Sequence, residues 1–269
     1  MMQIRKLLLV LPLTWVLSQW IAFSAFAESK ESDWKLSAST TYETSKYGTD
    51  TQTDTVYLPV TLKHYFDRED ISLTIPYISQ KSSGLVSVVD GKIFKTRQKT
   101  GPTAVTTNSG LGDIILKGSF YLLQEQQKQP FDLFLIGKIK FPTADEKKGL
   151  GTGEYDETIG LEFGKLMLPE WTVFVDAYYT FIGSPSGTTL ENRFSFDTGL
   201  ADQITQLLTA SIFYEESTPL ISGNPNLKNI IVNLEYKVTR GIKVFAGGSI
   251  GLSASSPDYG LTAGASIKF

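Results

Sequence analysis

The sequence predicts an all-β fold, namely a single transmembrane antiparallel up-and-down β-barrel of about twelve strands. Apolar and polar residues alternate in about a dozen segments, most of them ten or more residues long. Strands of soluble proteins are typically about 5–6 residues long, whereas a membrane-spanning strand needs about 9–11. Charged residues fall on one face of the pattern, as expected if the other face contacts lipid, where Lys or Arg costs about 2–4 kcal/mol. A soluble β-sandwich also alternates, but it does not require strands of this length.

The N-terminus has the pattern of a cleaved secretory signal peptide over residues 1–27. Arg5 and Lys6 precede an apolar run, and an A-x-A cleavage site falls at 25–27. An uncleaved membrane anchor is the alternative. Removal of the signal leaves one domain, 28–269, with 23 basic and 28 acidic residues and a net charge of about −5, which does not suggest a nucleic-acid partner. The chain has no cysteine, which excludes disulfides and thiolate metal sites.

The segment DIILKGSFYLL illustrates the alternation, with Leu116 and Phe120 on one face and Lys117 and Ser119 on the other. The predicted strands are 33–46, 54–66, 70–80, 111–123, 130–141, 154–167, 171–182, 190–202, 205–216, 227–238, 241–252 and 258–269. Short turns follow the even-numbered strands, and longer loops rich in Gly, Ser, Thr and Pro follow most odd-numbered ones, which is the plan of an outer-membrane barrel. An even strand number places both termini on the short-turn, periplasmic side.

Aromatic residues near the predicted strand ends are expected to form interfacial girdles. They are Trp34, Tyr42, Tyr65, Phe66, Tyr77, Tyr121, Phe141, Tyr155, Trp171, Phe181, Tyr236, Tyr259 and Phe269. The final segment GLTAGASIKF alternates and ends on Phe269, and it resembles the C-terminal signal that the barrel-assembly machinery recognises. We expect this strand to pair with the first strand, which leaves no free edge.

The face opposite the lipid-facing side is expected to line the lumen. Its charged residues are Lys117, Lys138, Lys140, Glu162, Asp176, Arg193, Asp197, Glu235, Lys237 and Lys243. Four aromatic residues share this face and serve either as packing or as an apolar path for an aromatic solute: Phe134, Phe174, Tyr178 and Phe245. Pro59 and Pro76 each remove a hydrogen-bond donor from a strand, so a kink or a gap in the wall is expected there.

The longest loop, 81–110, is either a plug or gate of the lumen or a solvated loop. Its basic residues outnumber the single acid Asp90 and are Lys81, Lys92, Lys95, Arg97 and Lys99. On the outer side of the membrane such a loop would meet anionic lipopolysaccharide or anionic solutes.

We expect no enzyme activity, no cofactor and no metal. The one histidine, His64, has no serine at the spacing found in outer-membrane phospholipase, and nucleophilic catalysis needs a base oriented toward its nucleophile. The Gly-rich GLGTG segment precedes a strand, not the helix that a phosphate-binding loop requires. Asp145 and Glu146 lie beside two lysines, so a solvated loop is expected there and not a calcium site.

Three segments in the middle of the chain resemble a known family. They are Gly110-Leu111-Gly112-Asp113, Lys140-Phe141-Pro142-Thr143-Ala144-Asp145 and Gly149-Leu150-Gly151-Thr152-Gly153. They resemble the MetA-pathway phenol-degradation family of outer-membrane proteins, whose members are often labelled transporters. The resemblance implies a small outer-membrane channel, with aromatic or other hydrophobic compounds as candidate solutes.

The expected function is therefore passage of a small solute through the outer membrane of a Gram-negative cell. The protein is expected to reach this membrane by export through the periplasm. A non-transporting structural or adhesion barrel that acts through loop 81–110 is the alternative. The expected partners are outer-membrane lipid, lipopolysaccharide, the barrel-assembly machinery and a solute whose identity the sequence leaves open.

Overall fold

The structure is a computed structural model that describes residues 33–97, 104–124 and 131–269. Its strands are β1 (Trp34–Ser45), β2 (Thr53–Tyr65), β3 (Glu69–Ser82), β4 (Val86–Val89), β5 (Lys92–Lys95), β6 (Thr106–Leu111), β7 (Ile114–Leu123), β8 (Asp132–Phe141), β9 (Asp156–Leu168), β10 (Trp171–Ile182), β11 (Arg193–Asp202), β12 (Leu208–Ser217), β13 (Leu227–Lys237), β14 (Ile242–Gly251) and β15 (Tyr259–Lys268). A 3-10 helix spans Glu146–Lys148. Within these ranges no helix has the length and apolar character that a membrane crossing requires. The signal peptide expected at 1–27 lies outside the described residues.

Antiparallel pairing closes the strands into a barrel. Strand β1 pairs with both β2 and β15, so that Leu36 lies between Leu62 and Ile267. Strands β6 and β7 pair with successive parts of β3 and form one interrupted wall strand. Counting β6 and β7 once and leaving out the separate β4–β5 pair gives twelve wall strands. The predicted twelve-stranded barrel, closed between its first and last strands, is confirmed.

The alternating sequence produces two different faces. On β13 the outward Val232 is 47% exposed and the next residue, the inward Asn233, is 4% exposed. On β2 the same contrast separates Val60 (47%) from Thr61 (7%). Soluble proteins rarely expose a continuous apolar surface of this extent, whereas a membrane barrel presents an apolar band to lipid.

Two residues predicted for the aromatic girdles face inward. The Tyr65 ring lies 5.1 Å from Nζ of both Lys63 and Lys268. The Tyr121 ring lies 4.1 Å from the ring of Phe134. A position near a strand end does not by itself select the outer face, because the alternation puts these two tyrosines on the same side as the inward residues.

The wall is irregular at the two prolines, where a kink or gap was expected. Pro59 and Pro76 are cross-strand neighbours in the β2–β3 ladder. The β1–β2 ladder has no pairs between Ala38–Val60 and Thr41–Tyr57, the stretch that contains Pro59. On the other side of Pro76 the β3 pairing passes from β7 to β6. Both interruptions follow from the donors that the prolines lack.

The loop predicted at 81–110 contains regular structure. Its first part extends β3, its last part forms β6, and VSVVDGKIFK between them folds into the β4–β5 hairpin. Asp90 and Gly91 have φ values of 56° and 77°, the left-handed conformation that a two-residue hairpin turn favours. We call Val86–Lys95 the plug hairpin.

The plug hairpin lies inside the barrel, near the end that carries the longer loops. Val88 and Ile93 pack in one apolar cluster with Tyr57, Ile78 and Leu150. A second cluster holds Val89 and Phe94 of the hairpin together with Ile182, Leu190, Leu220, Ile221 and Leu227. A segment that contacts wall strands on opposite sides can only cross the lumen. Loop 81–110 was predicted to be either a plug or gate of the lumen or a solvated loop. For the hairpin part of it, the solvated interpretation is wrong.

Candidate functional site

The lumen wall carries the charged residues that the sequence placed there. Lys140, Glu162, Asp176, Arg193 and Asp197 are each under 9% exposed, and their outward neighbours in the strands include Ile139, Leu161, Val175 and Phe194, each 38% exposed or more. Lys117, Lys138, Glu235, Lys237 and Lys243 lie on the same face and are half-buried. Phe134 and Phe174 are buried on it, and Tyr178 and Phe245 are half-buried.

A cavity of about 120 Å³ lies against the tip of the plug hairpin. From the predicted charged set it is lined by Lys117, Lys138, Arg193, Asp197 and Glu235, and from the aromatic set by Tyr178 and Phe245. The other predicted residues do not line this cavity: Lys140, Glu162, Asp176, Lys237, Lys243, Phe134 and Phe174. Lys35 and Tyr57 also line the cavity although neither was predicted as a site residue, and Asp90 lines it although it was predicted only as the single acid of loop 81–110.

Charges of one sign are neighbours across the strands of the wall. Lys117 lies directly opposite Lys138, and Asp176 lies opposite both Glu162 and Asp197. Like charges in such positions destabilise a sheet, so they require opposite charges from elsewhere. Nζ of Lys117 donates to Oε1 of Glu162 at 2.6 Å, and other compensating charges come from the plug hairpin.

The turn of the plug hairpin pairs with cations on two separate wall strands. Oδ2 of Asp90 accepts a hydrogen bond from Nη2 of Arg193 on β11 at 2.9 Å and another from Nζ of Lys138 on β8. Burial alone would raise the pKa of the Asp90 carboxyl, but Lys138 and Arg193 outweigh this effect and lower the pKa to about 2. Asp90 is therefore ionised at neutral pH, and its pairing is lost only as the pH falls through about 2.

A second ion pair holds the other side of the turn. Nζ of Lys92 donates to Oε1 of Glu215 on β12, and Glu215 also accepts from Nδ2 of Asn229 at 2.8 Å. Glu215 lies directly opposite Asp197 in the ladder. Glu162, Asp176, Asp197 and Glu215 thus form a row of acids across four strands, and Lys92 compensates the charge at the Glu215 end of this row. The hairpin thus contributes one anion beside the basic part of the wall and one cation beside the acidic part.

The three family-like segments meet in one buried cluster at the long-loop end of the wall. Nζ of Lys140 lies 3.0 Å from Oδ2 of both Asp113 and Asp156 and donates to Oγ1 of Thr152 at 2.8 Å. Oδ1 of Asp113 accepts from the backbone N–H of Ala144 at 2.9 Å. Each of the four side chains belongs to a residue that is at most 6% exposed. Lys140, which was expected to line the lumen, is enclosed in this cluster because Asp113 and Asp156 flank it.

The match to a protein family rests on a long part of the chain. The family model described as "Putative MetA-pathway of phenol degradation" matches residues 70–269. The chain belongs to this family. The matched region starts at β3 and includes the plug hairpin, the Lys140 cluster and the remaining wall.

Solved structures share the fold of this member of the phenol-degradation family at low sequence identity. The COG4313 outer-membrane channel from Pseudomonas putida F1 superposes with a TM-score of 0.71 and 11% identity, over 91% of this chain and 98% of that one. The NanC porin matches with a TM-score of 0.57 and 10% identity, over 87% and 100% of the two chains. The translocator domain of the autotransporter NalP from Neisseria meningitidis matches with a TM-score of 0.54 and 10% identity, over 94% and 93%. No curated protein sequence matches the chain.

These likenesses establish the fold of outer-membrane barrels and no more, because a channel, a porin and an autotransporter translocator all share it. For this phenol-degradation family member, function has to be argued from the interior of the barrel. The outer-face His64 stacks on Trp34 at 4.3 Å and meets the edge of Phe66 at 4.4 Å. In the described part of the chain, no group of three or more His, Cys, Asp or Glu residues is arranged to hold a metal ion.

Gly151 of the GLGTG segment lies against the Lys140 cluster. A Cβ at this position would meet Oδ2 of Asp113 at 2.6 Å and Cβ of Ala144 at 2.8 Å. We therefore expect Gly151→Ala to lower the free energy of unfolding by about 1–3 kcal/mol, measured by denaturant unfolding of the barrel in lipid. Gly137→Ala on β8 is the matched control, because no heavy atom beyond the adjacent residues lies within 4 Å of the added methyl group. Equal effects of the two substitutions would contradict the tight packing at Gly151.

Proposed function

We propose that the chain is an outer-membrane channel for a small solute, aromatic or otherwise hydrophobic in character, and that the plug hairpin closes it. The observation that carries this proposal is a charged and aromatic lumen that a separate hairpin fills. Barrels of eight strands have an interior that side chains can fill, and those of sixteen strands leave an open channel. This twelve-stranded barrel encloses a lumen that wall side chains leave partly empty, and the plug hairpin occupies that space.

The way in which the hairpin is held supports a gate. Its tip is fixed by the ion pairs of Asp90 and Lys92 with residues of the wall. Ion pairs can be exchanged for water or for another ion without breaking the hydrogen bonds of the wall. The wall strands are paired with one another around the barrel, so movement of the hairpin would leave the barrel intact.

The four interior aromatic residues divide into two groups in this proposal. Tyr178 and Phe245 line the cavity and would contact a solute. The Phe134 ring packs on Tyr121 at 4.1 Å and the Phe174 ring on Phe213 at 6.0 Å, so these two rings serve as packing of the inner wall. The family description, which refers to phenol degradation, agrees with an aromatic solute.

The test is to replace the plug hairpin, Val86–Lys95, by a short Gly-Ser linker. We expect the variant to show at least a tenfold higher conductance than the parent in planar bilayers, because the removed segment fills the lumen. Liposome swelling with small neutral solutes should accelerate in parallel. The control keeps the hairpin and carries Lys147→Ala, a change of an exposed residue in the neighbouring loop.

Unchanged conductance and flux after removal of the hairpin, with the barrel still folded, would refute the channel proposal. The rival adhesion barrel predicts a different result, namely loss of binding to lipopolysaccharide or cells with no gain in flux. Burial of all four β4 residues disfavours that rival, because a buried hairpin presents little surface to an external partner.

Assembly in the outer membrane is proposed to use the C-terminal strand. Ile267 and Phe269 point outward, 42% and 58% exposed, where the barrel-assembly machinery could bind them before the strand pairs with β1. We expect deletion of Phe269 to lower the amount of assembled barrel in outer-membrane fractions several-fold. Normal assembly of this variant would argue against the signal but not against the barrel.

A further inference from the structure

Lys138 and Arg193 are two wall cations whose only ion-pair partner in the described structure is the hairpin carboxylate of Asp90. The guanidinium of Arg193 also lies 5.2 Å from the ring of Phe94, another residue of the plug hairpin. Other lysines of the wall pair within the wall, for example Lys117 with Glu162 and Lys243 with Glu235. If the hairpin moves, Lys138 and Arg193 therefore lose their anion.

Arg193 is incompletely satisfied even with the hairpin in place. The residue is 3% exposed, and its Nε and Nη1 atoms have no hydrogen-bond partner. A guanidinium presents a rigid fork of donors that a carboxylate can bind through two parallel hydrogen bonds. Asp90 uses a single oxygen, Oδ2, for both Lys138 and Arg193. The short side chain on the hairpin turn thus leaves part of the fork unused.

The surroundings of this pair have the composition of a site for an aromatic anion. With the hairpin in place, five cations and three carboxylates line the cavity. If the hairpin leaves, it takes Asp90 and Lys92 with it. The charged residues that remain are four cations, Lys35, Lys117, Lys138 and Arg193, and two carboxylates, Asp197 and Glu235. Ring surfaces of Tyr57, Tyr178 and Phe245 line the same space. An engineered apolar cavity of about 150 Å³ holds a benzene molecule, so the 120 Å³ present beside the hairpin tip is of the right order for one ring.

We infer that Lys138 and Arg193 form a binding site for the carboxylate of a small aromatic acid, and that Asp90 occupies this site as an internal ligand while the lumen is closed. This inference rests on the proposed function and names the solute class for it. An incoming aromatic carboxylate would take both nitrogens of the Arg193 fork, and its ring would lie among the aromatic side chains of the cavity. Displacement of Asp90 couples binding of the solute to release of the plug hairpin.

Competition with an internal ligand reduces the apparent affinity for the solute. The apparent Kd equals the intrinsic Kd divided by the fraction of molecules in which the site is free. If Asp90 occupies the site in about nine of ten molecules, its removal lowers the apparent Kd for an aromatic carboxylate about tenfold. The same change leaves the affinity for a neutral aromatic compound of equal size nearly unaffected.

The experiment measures binding of benzoate and of benzyl alcohol to the full barrel in detergent by calorimetry, at fixed ionic strength and pH 7. Asp90→Asn, which keeps the shape of the side chain, is expected to bind benzoate about tenfold more tightly than the parent. Glu235→Gln is the matched control, since it removes the same charge from the same cavity but from a residue paired with Lys243. Circular dichroism and thermal unfolding verify that both variants are folded.

A second substitution tests the cation directly. Addition of Arg193→Gln to Asp90→Asn should remove most of the preference for benzoate over benzyl alcohol, because only Lys138 of the pair remains, while Arg193→Lys in the same background should retain more of it. Equal gains in Asp90→Asn and Glu235→Gln would overturn the inference, because they would reflect net charge alone. A benzoate preference in Asp90→Asn/Arg193→Gln as large as in Asp90→Asn would overturn it as well.

Conductance separates this inference from the channel proposal. Higher conductance on removal of the plug hairpin, with no change in benzoate binding by Asp90→Asn, would retain the channel and refute the carboxylate site. Tighter benzoate binding by Asp90→Asn, with no conductance even after removal of the hairpin, would retain the site and refute passage.

Discussion

Arginine in place of Val232 is expected to lower the free energy of unfolding of the barrel in a lipid bilayer by about 2–4 kcal/mol. Val232 is the central residue of β13 and is 47% exposed on the outer face. Its cross-strand neighbours are Ile212 and Gly248, neither of which offers a charge. The guanidinium would lie at the depth where the bilayer solvates it least.

The matched control is Val238→Arg, the same substitution on the same outer surface just beyond the end of β13. Val238 is 51% exposed, and at the membrane interface the expected loss is only about 0–1 kcal/mol. Unfolding by guanidinium chloride in lipid vesicles gives both values. Two equal losses, or two losses near zero, would contradict a lipid-facing belt centred on the middle of the strands.

The barrel could be predicted from the sequence because the alternation of apolar and polar residues and the length of each strand are both local properties of the chain. An alternation of period two fixes which residues face outward, and strand length separates a membrane wall from a soluble sheet. In β13 the predicted range 227–238 and the observed Leu227–Lys237 agree almost residue by residue. A shift by one residue would reverse the face of every side chain, so parity also placed the charged interior residues.

The interruption between β6 and β7 escaped prediction for the opposite reason. The family-like segment around Gly112 and Asp113 was placed inside a continuous strand starting at 111. In the structure the backbone N–H of Gly112 donates to the carbonyl oxygen of Pro76 at 2.8 Å, and Asp113 turns inward to Lys140. The partner of Gly112, Pro76, and the partner of Asp113, Lys140, both lie far away in the chain, so the local sequence pattern does not show the interruption.

The candidate site could be predicted only in part. The signal for the hairpin was present, because Asp-Gly between two apolar β-type segments is the strongest short-range indication of a hairpin. In the lumen its turn pairs with Lys138 and Arg193, which follow Asp90 by 48 and 103 residues. Such contacts are set by closure of the barrel. The interior charges were therefore foreseen individually, while their pairing with the hairpin was not.

Substitution of Lys140 by methionine is expected to lower the free energy of unfolding by about 3–5 kcal/mol. Asp113 and Asp156 both lose their cation in this variant, and their side chains are 5% and 2% exposed. Removal of one partner from a buried charge cluster leaves uncompensated charges, which is more destabilising than removal of the whole cluster. Denaturant unfolding in lipid measures the loss, and Lys147→Met, at an exposed position of the adjoining loop, should change it by less than about 0.5 kcal/mol.

Neutralisation of the two acids provides the decisive comparison. Lys140→Met combined with Asp113→Asn and Asp156→Asn should recover most of the stability, since the amide oxygens can still accept from Ala144 N–H and Gly183 N–H. Non-additivity of this kind measures the coupling between the three groups. A triple variant as unstable as Lys140→Met alone would show that lysine acts there through packing and not through charge.

The same Lys140 variants test whether the GLGTG segment holds the plug hairpin in place. Leu150, in the GLGTG segment, is fully buried in the apolar cluster that also contains Val86 and Ile93 of the plug hairpin. The adjoining Gly149 backbone lies so close that an added Cβ would be 3.4 Å from the Val86 carbonyl oxygen. Loss of the Lys140 cluster should therefore loosen the root of the hairpin, and Lys140→Met should raise single-channel conductance while the triple variant restores closure. The family-like segments around Lys140 and Leu150 would then support the plug hairpin, at a distance from the tip where Asp90 meets Lys138 and Arg193.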